Sequence, residues 1–214
     1  NAAWPNRPLS GGCAVWLAGG VDQHNAPGFG LGTEEVKRRQ ILLKALLVGL
    51  TAGFLAALFR RGLTYAEAGR EYMVRHLPGM GGLAVAAAIG MAGGAVSLWL
   101  VRRLAPETAG SGIPQVKEVV LGQATMNWCR ILPVKFLSGL LSIGSGFALG
   151  REGPTIQMGA STGVLVAQWF RVSHGEGERK ALVGAGAAAG LAAAFNAPLS
   201  GMMFVLEELQ VSFT

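Results

Sequence analysis

Charge is scarce in this chain. Only 14% of its 214 residues are Asp, Glu, Lys or Arg, against about 25% in an ordinary soluble domain. Cysteine is scarcer still. Cys13 and Cys129 are the only two, far apart and without His or Cys neighbours at ligand spacing, so a disulfide scaffold and a metal site are both excluded. Aromatics make up 7% and do not alternate with basic residues. The net charge of +6 therefore does not form the basic, aromatic-studded stripe of a nucleic-acid binder. His24, His76 and His174 all fall in polar connections. Gly144-Ser145-Gly146 could otherwise suggest a serine nucleophile, but it has no imidazole base, and no enzyme chemistry or cofactor is expected.

What the chain has is glycine, 33 residues of it, and long apolar runs. No ionisable Asp, Glu, Lys or Arg occurs from Leu77 to Val101, or from Ala181 to Leu206. About 20 such residues cross a bilayer. The basic residues gather at the ends of these runs, as Lys37-Arg38-Arg39, Arg60-Arg61, Arg102-Arg103 and Arg179-Lys180, where lipid headgroups would meet them. The sequence therefore predicts an all-α integral membrane protein whose solvent is the lipid bilayer.

Residues 1–36 are rich in Gly, Ala, Pro and Asn, show no helical period, and read as a flexible or non-native lead-in. A first span is expected from Arg39 to Phe59, followed by a polar stretch through His76, and a second span from Leu77 to Val101. The GxxxA-type spacing around Gly90 and Gly94 would let another helix approach the second span closely. Beyond Arg103 the segments become short and interrupted. One helix ends near Gly122. Trp128 to Leu149 is expected to break at Pro133, Gly144 and Gly146. Another helix runs from Gly153 to Phe170, and the last apolar run is cut at Asn196-Ala197-Pro198. Irregular backbone at membrane depth survives only when buried or lining a cavity, and broken helices of this kind build ion sites from their ends.

Ser111-Gly112-Ile113-Pro114, Glu152-Gly153-Pro154 and Asn196-Ala197-Pro198 share one form, a small or polar residue followed by a proline suited to a helix's first turn. First-turn amides lack intrahelical partners and carry a partial positive charge. They can hold an anion weakly enough to release it. The anion is expected at Ser111, Gly112 and Ile113 on one side and at Arg151, Glu152 and Gly153 on the other. Glu152 is a carboxylate between two apolar runs, and such groups are functional by default. It could occupy the anion position itself, or swing away once protonated. The plainer alternative is that it pairs with Arg151 or caps the helix. Arg151 reads as a structural charge within that loop, and Ser111 serves equally as an anion ligand or as a small turn residue. Asn196 reads as a helix cap. Glu207 and Glu208 read as an interfacial acidic pair or as a proton acceptor. The glycines from Gly184 to Gly190 lie inside an uncharged run and read as a packing face, not a dinucleotide fingerprint.

The stretches Gly110–Glu118 (GSGIPQVKE), Leu132–Phe136 (LPVKF), Gly150–Gly159 (GREGPTIQMG) and Gly186–Glu208 resemble, in order and spacing, the CLC family of chloride channels and chloride/proton exchangers, with Arg39 to Phe213 covered. The resemblance implies the broken, tilted helices of an inverted-repeat fold, first half only, over residues 37–214. It implies that Ser111 coordinates the central anion, that Glu152 is the gate, and that Glu208 is the inner proton relay. Serine at position 111 matches the chloride-type members. The second anion loop and the completing tyrosine of that family are not in this sequence. The resemblance further implies chloride and protons as partners, a homodimer when complete, and a bacterial-type cell membrane. Proton-coupled exchange is the first expectation. A passive gated channel and a non-transporting fragment are the alternatives.

Overall fold

A computed structural model describes residues 31–76, 79–172 and 176–209. Among them every regular element is a helix. α1 spans Leu31–Arg75, α2 Met80–Leu104, α3 Ile113–Val120, α4 Trp128–Gly144, α5 Glu152–Trp169, α6 Glu176–Phe195 and α7 Pro198–Phe204. A 3-10 turn, Pro106–Thr108, precedes α3, and a π-helical turn, Val205–Leu209, continues α7.

α5 is the centre. Nearly every residue from Gly153 to Ala167 is buried, which an apolar, Gly-, Ser- and Thr-rich helix tolerates because small side chains let its neighbours close in. α6 lies directly against it. A Cβ on Gly159 would fall 2.1 Å from the Gly186 carbonyl oxygen, and one on Gly190 would fall 2.2 Å from that of Thr155. The expected packing face from Gly184 to Gly190 is thus a backbone-to-backbone seam. α2 instead receives side chains from the turn that follows α4, with Ser145 against Gly93 and the Phe147 ring against Gly94.

α1 differs from expectation at both ends. It begins at Leu31, inside the segment expected to be a flexible lead-in, and it runs on past Phe59 to Arg75. Residues 1–30 of that segment lie outside the described residues. No proline interrupts Leu31–Arg75, and Val48, Ala52, Ala56, Phe59 and Leu63 are all buried. Their spacing is one continuous helical stripe. Arg60 and Arg61 end the uncharged run, but they lie on the exposed side and leave the inner stripe intact. Pro133 likewise does not break α4. It is the sixth residue of Trp128–Gly144, and the helix runs on through it without the one backbone N–H that proline lacks.

Four helix ends close alike. Gln123, Phe147, Val172 and Ala197 each donate their N–H to the carbonyl five residues back, at 2.8, 3.3, 3.0 and 3.1 Å. The residue before each has positive φ: Gly122, Gly146, Arg171 and Asn196. This is the left-handed stop that satisfies the last carbonyls of a helix. Asn196 therefore ends α6 by its backbone. The residue that caps α7 is Ala197, with no side-chain cap bond, which corrects the expected side-chain cap.

Candidate functional site

α3 and α5 bring two helix N-termini together. In α3 the first intrahelical bond is Val116 N–H to the Gly112 carbonyl, 3.1 Å, so the amides of Ile113 and Gln115 have no intrahelical acceptor and Pro114 has no N–H. In α5 the first bond is Thr155 N–H to Arg151, 3.3 Å, which leaves the amides of Glu152 and Gly153. The loops touch through backbone. A Cβ on Gly153 would lie 2.3 Å from the Ser111 carbonyl oxygen, so only glycine allows the approach. Gly110 and Gly112 flank Ser111 at φ 78 and 86, a region where L side chains are strained. Gly112 is buried, and Ser111 stays exposed at the rim.

Glu152 is the first residue of α5 and is half-buried. Its Oε2 folds back over the bare Cα of Gly150, where a Cβ would stand 2.1 Å away. Among the described residues its carboxylate has no hydrogen bond and no ion pair, and the Arg151 guanidinium, exposed beside it, makes none either. The plainer alternative, a Glu152–Arg151 pair, is not what the side chains form. Ser111, Gly112, Ile113, Arg151, Glu152 and Gly153 thus share one locality. The third loop does not join them. Asn196 lines a separate open cavity with Arg60, Arg61 and Thr64 of α1.

Two residues with no role assigned from sequence hold the site. Lys135 of α4 is buried and donates to the carbonyls of Thr108 and Gly110, both at 2.8 Å. It fixes the turn leading into Ser111 and places a positive charge beside it. The intramembrane-charge rule that picks out Glu152 would have found it too. Gln157, fully buried on α5, donates to the Glu107 carbonyl at 3.1 Å, and its Oε1 is unpartnered. Gly112 lies against it, since a Cβ there would be 2.8 Å from the Gln157 Cβ. An uncharged amide in a Gly- and Thr-rich run gives no comparable signal.

Glu208 stands apart on the π-helical turn, exposed, with its Oε1 3.3 Å from Lys117 Nζ of α3. Glu207 is exposed beside it.

The family model described as "Voltage gated chloride channel" matches residues 93–214. A H(+)/Cl(-) exchange transporter of Vibrio cholerae is 43% identical over 175 residues, covering 81% of this chain and 37% of the relative. A solved structure of a slow cyanobacterial Cl-/H+ antiporter superposes with a TM-score of 0.74 at 39% identity, covering 81% of this chain and 42% of that one. A eukaryotic CLC transporter shares the fold at a TM-score of 0.72 and 24% identity, over 83% of this chain and 34% of that one. The chain thus spans well under half the length of these relatives. With its helical order, its paired N-termini and these matches, it belongs to the CLC family of voltage gated chloride channels, a family of integral membrane proteins.

Proposed function

We propose that this chain supplies one side of the ion pathway in a proton-coupled chloride exchanger, working with the rest of the complete protein as a homodimer in a bacterial-type cell membrane. The observation that carries this reading is the meeting of the α3 and α5 N-termini, at Ser111 and Gly153, beside a carboxylate that has no partner among the described residues. Dipolar amides attract a halide without binding it as tightly as a full charge would. Glu152, itself an anion at the same helix end, competes for that position. Protonation makes it neutral and removes its reason to stay, so chloride and a proton use the site in alternation. Glu208 would relay the proton on the other side. The exchange activity named for the Vibrio cholerae and cyanobacterial relatives supports the coupled form over a passive channel.

The test is Glu152→Gln in the complete protein, reconstituted in liposomes with separate chloride and proton electrodes. Chloride flux should persist and proton flux should vanish. Proton flux that continues in step with chloride would reject the gate. A reversal potential that ignores a pH gradient in the unmodified protein would point to the channel reading.

A further inference from the structure

Lys117, a residue with no role assigned so far, joins α3 to the π-helical turn that carries Glu208. Lys117 sits in the second turn of α3, and its ammonium lies 3.3 Å from Glu208 Oε1. Both backbones are held in place by the same core. On α3, Val116, Val119 and Val120 are buried, and on the π-helical turn Val205 and Leu209, which flank Glu208, are buried with them in one cluster. The pairing of the two side chains therefore follows from packing. A π turn shifts the register of the residues it carries and recurs at functional positions.

We propose that Lys117 is a positioning residue for proton transfer, tying Glu208 to the helix whose N-terminal amides face the anion. The proposal rests on the exchanger reading and on Glu208 as its proton relay. α3 is only eight residues long. Gly112 at its N-cap and Lys117 are about 7.5 Å apart along the axis. Its N-terminal end is fixed by Gln115 Nε2 on the Ala109 carbonyl, 3.0 Å, and by Lys135 on the preceding turn. The Lys117–Glu208 contact gives the same rod a second attachment, at the proton side. When Glu208 takes up a proton its charge is lost, the attraction to Lys117 weakens, and α3 loses that attachment. A change in proton occupancy thereby reaches the anion end through a single short helix, a shift of equilibrium by differential contact.

Among the described residues, the turn that carries Glu208 packs against α3, α6 and α7. Glu207 is its neighbour on the turn. α3 presents Lys117, while Glu118 lines a different crevice with Glu107 and Gln115. α6 contributes Lys180 near its start, whose ammonium lies over the bare Cα of Gly122 just beyond α3. α7 carries no ionisable residue. Lys117 is the group in ion-pair contact with Glu208. A pair this exposed adds little to folding stability, so variants at Lys117 should fold.

The experiment uses the complete protein in liposomes and reads the proton-to-chloride flux ratio for Lys117→Met, Lys117→Gln, Lys117→Arg, Glu208→Gln and the double variant Lys117→Met/Glu208→Gln. Lys117→Met and Lys117→Gln should lower the ratio about threefold, the size expected for losing one exposed ion pair, with chloride turnover within about twofold of the parent. Lys117→Arg should restore the ratio, and Lys117→Met should change nothing further once Glu208 is Gln. An unchanged ratio in Lys117→Met and Lys117→Gln, with proton flux lost in Glu208→Gln, overturns this inference and leaves the exchanger reading standing. Equal loss of both fluxes also overturns it, as a merely structural effect. Proton flux that survives Glu208→Gln defeats the relay and this inference together.

Discussion

Gly153 has no room for a methyl group. Its Cβ would stand 2.3 Å from the carbonyl oxygen of Ser111 and 3.1 Å from the Ser111 Cα, and neither atom is the movable end of a side chain. Gly153→Ala must therefore separate the two loops, and chloride turnover should fall by about tenfold or more, as sub-ångström displacements at positioned groups do. Turnover close to the parent in liposomes would mean the loops need not touch. Lys135 makes a complementary case. Lys135→Met leaves the Thr108 and Gly110 carbonyls without their donor, at a cost of about 2 kcal/mol. A clearly lower midpoint in thermal unfolding of the detergent-solubilised protein is the expected result, and an unchanged midpoint would show the lysine to be dispensable. At this scale the sequence was legible where a charge broke an apolar run. Glu152 stood out on that ground. Lys135 meets the same criterion, whereas Gln157 is uncharged and offers no contrast to its neighbours.

Helices in this chain approach each other through what their side chains omit. On the α5–α6 seam, Gly159 and Gly186 oppose each other so closely that a Cβ on either meets the other's carbonyl oxygen at 2.1 Å. Gly159→Ala and Gly186→Ala should each force the helices apart and cost about 1–3 kcal/mol. Gly49 of α1 is the control. A Cβ there meets nothing within 4 Å, and in a helix interior Gly→Ala should gain roughly 0.5–1 kcal/mol. Thermal midpoints for the three variants test both signs at once. If all three behaved alike, the seam would not be the organising contact. Element positions were readable at Gly146 and Pro198, where a left-handed residue or a first-turn proline marks a helix end. They were misread at Arg60-Arg61, because a hydropathy run ends at any charge, whereas a helix ends only when its inner face does. Phe59 and Leu63 keep that face apolar through the charged pair. Pro133 misled in the same sense, since a proline removes one backbone bond without ending the inner face, and α4 runs on through it.

The molecule as a whole turns its apolar surface outward. Its core is the α5–α6 pair with α3 and the π-helical turn packed on it. α1 packs on that pair through one stripe, Val48 to Leu63, and the rest of the two longest apolar helices lies outside the core. In the most hydrophobic windows of α1 and α2, 17% and 0% of residues are buried, where the core helix of a soluble protein would be mostly buried. Leu42, Leu43, Leu46, Leu50 and Phe54 on α1, and Leu83, Met91, Leu98 and Trp99 on α2, are exposed. In water such a surface would drive aggregation, whereas in a bilayer it has the solvent it needs. The charge pattern agrees, since Lys44, near one end of the α1 run, is satisfied by Glu178 of α6 at 2.7 Å, and Arg60 and Arg61 follow the run's other end. Between Ile41 and Phe59 the helix rises about 28 Å, close to the hydrocarbon thickness of a membrane. The chain expressed in bacteria should therefore remain in the membrane pellet after an alkaline carbonate wash and leave it only with detergent. Phe54→Arg, which puts a charge at bilayer depth on the outward side, should reduce the membrane-inserted fraction measurably, while Ala57→Ser should not. Release of the parent chain by carbonate, or indifference to Phe54→Arg, would contradict a lipid-facing α1.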